Sequence, residues 1–101
     1  MNSRLELQAM LEKLLGSRNV YFQPPSTLKM SYPAIVYSLD DIANTHANNI
    51  VYTQYDVYKI TYIDKNPESP IVRKLSTLPR CTFLTWYPSD NLNHYRFKLY
   101  Y

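Results

Sequence analysis

A single glycine, Gly16, serves a chain of 101 residues. Glycine-rich loops cradle phosphates because a residue without a Cβ lets the backbone approach the anion, so this chain lacks every such loop. The position of Gly16 is also informative. Ser3 and Glu6 have the S-x-x-E spacing of a capping box, in which each side chain satisfies the other residue's backbone N–H. Leu7, Met10, Leu11 and Leu14 follow the i, i+3, i+4, i+7 rhythm of a helix with one apolar face, and Leu15 widens the stripe. Gly16 falls where a left-handed residue would close that helix. Arg4, Gln8, Glu12 and Lys13 cover the other side, a mixture that offers no cationic stripe to a lipid surface. The helix is expected to pack on a sheet.

The remainder reads as strands around one more helix. Residues 19–23 hold Val20, Tyr21 and Phe22, a short β-prone run halted by Pro24 and Pro25, which marks a short or edge strand. Residues 33–42 hold Ala34, Ile35, Val36, Tyr37 and Leu39, an apolar run suited to a strand covered on both faces. Asp40 and Asp41 are expected to end it. The polar stretch 43–49 reads as a long hairpin tip, and 50–63 as a long strand rich in β-favouring Tyr, Val and Ile. Its register stays open, since tyrosine suits either face. Asn66 and Pro67 predict a helix start, with asparagine as the cap and proline at the first helical position. Ile71, Val72, Leu75 and Leu78 then supply the apolar stripe, and Pro79 the stop. Residues 80–87 predict a strand and 88–93 a turn. Residues 94–101 predict a closing strand with Tyr95, Phe97, Leu99 and Tyr101 inward and His94, Arg96, Lys98 and Tyr100 outward. The order helix-strand-strand-strand-helix-strand-strand predicts one α+β domain over residues 1–101, two helices packed on a mostly antiparallel sheet.

The search for chemistry is short. Hydrophobic residues make up 46% and charged residues 19%, proportions of a folded chain rather than a disordered one. One cysteine, Cys81, forbids an intramolecular disulfide and leaves a structural zinc site without its usual thiolates. No apolar run approaches the roughly 18 residues of a membrane span, and no signal-peptide core opens the chain, so a soluble cytosolic domain is expected. Cys81 sits beside Phe83 and Leu84, where a cysteine acts as a small hydrophobe rather than as a nucleophile for His46 or His94. Asp40 and Asp41 are neighbours on a strand, so their side chains point to opposite faces and cannot share a proton or a metal. Asp64, Glu68 and Asp90 lack the spacing of a calcium loop. No catalytic, cofactor or metal site is expected, and no enzyme. Net charge is +3, all of it contributed by residues 51–101, a bias well short of a nucleic-acid footprint. On the last strand the inward aromatics and the outward cations would lie on opposite faces, whereas a base-stacking platform wants them together.

Four phrases carry a resemblance. They are Asn19-Val20-Tyr21-Phe22-Gln23-Pro24-Pro25 after the first helix, Tyr32-Pro33-Ala34-Ile35-Val36-Tyr37, Asp64-Lys65-Asn66-Pro67-Glu68-Ser69, and Asp90-Asn91-Leu92-Asn93-His94 before the closing aromatic strand. Over nearly the whole chain they resemble small proteins from the head–tail joining region of tailed bacteriophages and prophages of Gram-positive bacteria. The element order is similar to that of tail terminator (tail completion, or tail-to-head joining) proteins of long-tailed phages. The resemblance implies a virion structural protein with no catalytic residues and no cofactor, made in the bacterial host cytoplasm and resident at the head–tail interface. It implies a hexameric ring that caps the tail tube and docks to the head connector. The implied partners are further copies of the chain, the tail tube protein and a connector or neck protein, with DNA passing through the channel without sequence-specific binding. Another neck or head-completion protein is the alternative within that region, and a small nucleic-acid-binding module the alternative from a different class.

Tyrosine occurs 11 times, and its large ring with a polar tip suits half-buried strands and interfaces. Tyr52, Tyr55, Tyr58 and Tyr62 on the long third strand are interface candidates, since one sheet face in so small a core is not expected to bury them all. The uncharged stretch with Asn44, Thr45, His46, Asn48 and Asn49 is the candidate assembly loop. It has too little apolar surface to offset its ordering entropy, so it is expected to be mobile in the free subunit and ordered by assembly.

Overall fold

The computed structural model describes residues 4–47 and 50–101; Ser3, and with it the expected capping box, lies outside them. The elements are α1 (Arg4–Leu15), β1 (Val20–Phe22), β2 (Ala34–Ala47), β3 (Ile50–Asp64), α2 (Pro70–Ser76), β4 (Cys81–Ser89) and β5 (Leu92–Tyr100). They build a five-stranded sheet in the order β1-β2-β3-β5-β4. β1 runs parallel to β2, and every other neighbouring pair is antiparallel. This is the α+β architecture the element order predicts.

Both helices contribute to one core. α1 buries Leu7 and Leu11, with Met10, Leu14 and Leu15 packed at the margin. Gly16 adopts φ +76°, and its N–H bonds back to the Glu12 carbonyl at 2.9 Å, closing the helix in the left-handed conformation that glycine adopts without penalty. Gln8 ties α1 to the sheet, its amide donating to the Val20 carbonyl at 2.9 Å and its oxygen accepting from the Tyr37 hydroxyl.

β3 settles the tyrosine register. Tyr58, Ile60 and Tyr62 face the helices, opposite Leu99, Phe97 and Tyr95 of β5 and alongside Tyr37 and Ile35 of β2; all of these are buried. The Tyr62 hydroxyl donates to Asp64 at 2.6 Å and lies 2.8 Å from the Ser69 hydroxyl, which therefore donates to it. Ser69 also accepts from the Ile71 N–H, so one chain of hydrogen bonds fixes the start of α2 on β3. Burial, and then the bond to Asp64, raise the Tyr62 phenol pKa far above its ordinary value, which keeps the donor protonated.

Three boundaries differ from expectation. The stretch 43–47 is strand, not loop, paired with β3 from Ala43 opposite Tyr55 to Ala47 opposite Ile50, with a register shift between Thr45 and His46. A register shift between Leu39 and Asp41 absorbs one residue, so the strand resumes beyond the carboxylates that were expected to end it. The Gln54 amide donates across the ladder to Asn44 at 2.9 Å. Backbone and amide pairing stabilise this segment where apolar burial does not. α2 begins at Pro70 because Ser69 takes the cap; Asn66 instead accepts from the Glu68 N–H at 3.0 Å in a turn. β4 runs through Pro88, and the turn shrinks to Asp90 and Asn91 at φ 53° and 62°. Two left-handed residues give the hairpin twist that matches the ladder, and Pro88 is tolerated because β4 is an edge strand.

The β2–β3 hairpin outruns the sheet. β1 stops opposite Tyr37, and β5 stops at Tyr100 opposite Val57. Beyond that level the hairpin is a two-stranded arm. The 15 residues of β3, at roughly 3.3 Å each, account for the 50 Å long axis of the molecule.

Candidate assembly surface

β4 is an edge strand of the sheet, yet it carries large apolar residues on both faces. Burial ends with the partly covered Cys81, and residues 82–90 are exposed. Phe83, Leu84, Trp86 and Tyr87 are between 39% and 50% exposed. A register shift between Phe83 and Thr85 inserts Leu84 as an extra residue and resets the faces of the strand residues beyond it. Trp86, opposite Tyr95, shares the helix side of the sheet with Phe83. Tyr87, opposite His94, stacks on that imidazole on the open side, 4.8 Å between centroids. The Trp86 indole donates to Asn93 at 3.2 Å, and the Asn93 amide donates to the Lys65 carbonyl, so the exposed indole is oriented rather than free.

Between α2 and β4 runs a groove of about 690 Å³, lined by Pro67, Val72, Arg73, Phe83 and Tyr95 with Glu68 beside them. The Ser76 hydroxyl is engaged with the Arg73 carbonyl at 2.8 Å, and the Tyr95 hydroxyl with the Pro67 carbonyl at 3.4 Å. What remains is apolar wall with one cation and one carboxylate. Such a lining suits an apolar side chain accompanied by a charge.

The expected interface tyrosines divide. Tyr58 and Tyr62 are buried within the subunit, which leaves them no surface for a partner. Tyr55 is half-buried beneath the Arg80 guanidinium, 5.3 Å from its ring centre. Tyr52 is a strand residue whose side chain lies outside the described positions. Of the expected assembly loop, Asn44, Thr45 and His46 belong to β2, Asn44 with its side chain exposed, and Asn48 and Asn49 lie outside the described residues. Phe83, Leu84, Trp86 and Tyr87 were not singled out from the sequence. The signal was present: Phe83-Leu84-Thr85-Trp86-Tyr87 breaks the two-residue alternation of a half-buried strand and runs into a proline.

On the open face of the sheet Lys59 and Lys98 stand directly opposite one another, with Arg96 opposite Thr61. Lys98 lies over the Tyr100 ring at 5.6 Å. Like charges paired across a ladder repel. Tyr87 from β4 joins Tyr100 on this face, so the structure sets aromatics beside the cations more fully than β5 alone implies.

Cys81 is partly buried, and burial pushes its thiol up to about 11 from 9.0. The folded state therefore holds the thiol proton more tightly than the unfolded chain does. Its contribution to stability is complete below pH 9.0 and is lost as pH rises toward about 11, with Tyr62 acting in the same direction at still higher pH. The urea midpoint is expected to fall across that interval, and native Cys81 to alkylate slowly at neutral pH. A flat profile together with rapid alkylation would contradict the buried-thiol assignment.

Among the described residues no cluster of His, Cys, Asp and Glu is placed to hold a metal ion. In comparisons with known proteins, no family model and no curated sequence matches the chain.

Proposed function

We propose that this protein is a virion structural subunit of the head–tail joining region of a long-tailed phage, a tail terminator whose ring caps the tail tube and joins it to the head connector. The observation that supports this reading best is β4, an edge strand with large, half-exposed apolar residues on both faces. Monomeric proteins commonly blunt such an edge with charge, and an apolar patch left open marks an interaction site. The projecting arm adds a second, different surface on the same chain. Head-to-tail contacts between unlike surfaces generate rings when the rotation closes. The phrases at 19–25, 32–37, 64–69 and 90–94 support the same reading through their resemblance to the phage proteins. In this role the chain is a scaffold without catalysis or cofactor. Electron microscopy of the purified protein, alone and with tail tubes, tests the reading. Six-fold rings or capped tube ends are expected; monomers that leave the tube ends bare would overturn it.

One observation favours a second reading, a small nucleic-acid-binding module. Lys59, Arg96 and Lys98 share the open face with Tyr87 and Tyr100, a combination that suits phosphates and stacked bases. Binding of a single-stranded oligonucleotide that weakens steeply with salt, and is lost in Lys98→Glu, would support it; no binding at low salt would exclude it.

A further inference from the structure

The arm and the α2–β4 segment around the groove are opposite in charge. Residues 39–58 contain Asp40, Asp41 and Asp56 and no lysine or arginine. Residues 65–89 contain Lys65, Arg73, Lys74 and Arg80 against the single carboxylate Glu68. Apolar surface accompanies the charge on both sides. On the arm Leu39, Ile42 and Ile50 are between 44% and 70% exposed. On the other side Phe83 and Arg73 stand in the groove wall, and the half-exposed Trp86 lies further along β4, opposite Tyr95. The arm also calls for a cover on physical grounds, because a two-stranded ribbon in water is marginally stable without a third strand or a packed face.

From these features we propose that the β2–β3 arm of one copy docks on the α2–β4 groove of the next copy, its apolar side chains against Phe83 and Trp86 and its aspartates toward Arg73 and Lys74. The occupant is a second copy of this chain, since the acidic apolar arm and its basic apolar counterpart are present in the same molecule. The contact is heterologous: each subunit offers an arm to one neighbour and a groove to the other. Repetition therefore closes a ring or extends a filament, whereas two copies exchanging arms reciprocally would close a two-fold dimer. The proposal rests on the self-assembly part of the function above and names the surfaces that carry it.

Paired charge reversals test it. One variant carries Asp40→Lys and Asp41→Lys on the arm, the other Arg73→Glu and Lys74→Glu on α2; all four side chains are exposed, and melting curves check that each variant folds. Each variant alone is expected to lose self-association by about tenfold or more, because both of its docking surfaces then carry the same sign. An equimolar mixture is expected to assemble again, with the two variants alternating around the ring, since the basic arm meets the acidic groove and the acidic arm meets the basic groove. Sedimentation and electron microscopy read both effects. A third variant, Ile42→Ser, reports the apolar part and is expected to weaken assembly without reversing charge. Variants that assemble like the parent, or a mixture that fails to recover, would overturn this docking while rings of the parent protein left the functional reading standing. A parent protein that never assembles, alone or on tail tubes, would overturn both.

Discussion

Phe97→Ala is expected to remove a large share of the domain's stability. Phe97 is 0% exposed and lies mid-strand, with Ile60 of β3 on one side and Phe83 of β4 on the other. Truncating a buried phenylalanine costs roughly 3–5 kcal/mol, through lost transfer energy and the cavity left behind. A domain of this size has about 5–15 kcal/mol in total. Phe83 meets the Phe97 ring edge-on at 5.4 Å and is itself half-exposed, so it can tilt into part of the cavity and place the cost toward the lower end. The measurement is the urea midpoint, expected to fall steeply with the denaturant slope unchanged. A loss below about 1 kcal/mol, the ordinary effect of a point mutation, would mean that β5 is not the centre of the core.

The opposite division is expected for β4. Leu84→Ser combined with Trp86→Ala should leave folding within about 1 kcal/mol of the parent, since both side chains are about half in solvent already and surface changes are usually small. Self-association should suffer far more. A central aromatic at an interface commonly contributes about 2 kcal/mol or more on truncation, roughly a thirtyfold loss of affinity. Sedimentation velocity at matched concentrations, alongside thermal melts, separates the two effects. Assembly at parental affinity would move the interface away from this strand. A large fall in melting temperature would mean that the strand is part of the core.

Much of the fold was legible because local pattern and global packing agree. The stripe from Leu7 to Leu14 and the alternation from His94 to Tyr101 each place the correct residues inside, since periods of 3.6 and 2 follow from backbone geometry alone. Legibility failed where a residue type has two uses. Asn66 and Ser69 can both cap a helix, and the choice between them rests on the Tyr62 and Asp64 hydrogen bonds, which join residues on different elements. The stretch 43–47 lacks large apolar residues, and it lies beyond the ends of β1 and β5. Strand pairing at that distance from the core depends on the partner segment rather than on burial, which sequence patterning reads poorly. The candidate surface was hidden for a related reason. The broken alternation of residues 83–87 marks that strand as unusual, but the sheet order, with β5 between β3 and β4, is what places its aromatics at an edge and Tyr58 and Tyr62 inside.

Trp86 is the only tryptophan in the chain, and its half-exposed indole stands on the strand proposed to meet a neighbour. The protein thereby carries its own optical probe. An indole in water emits at longer wavelength than one in an apolar setting, and the many tyrosines pass excitation toward it. A blue shift on raising the concentration, or on adding tail tubes, would track β4 directly, with no label attached and no residue changed.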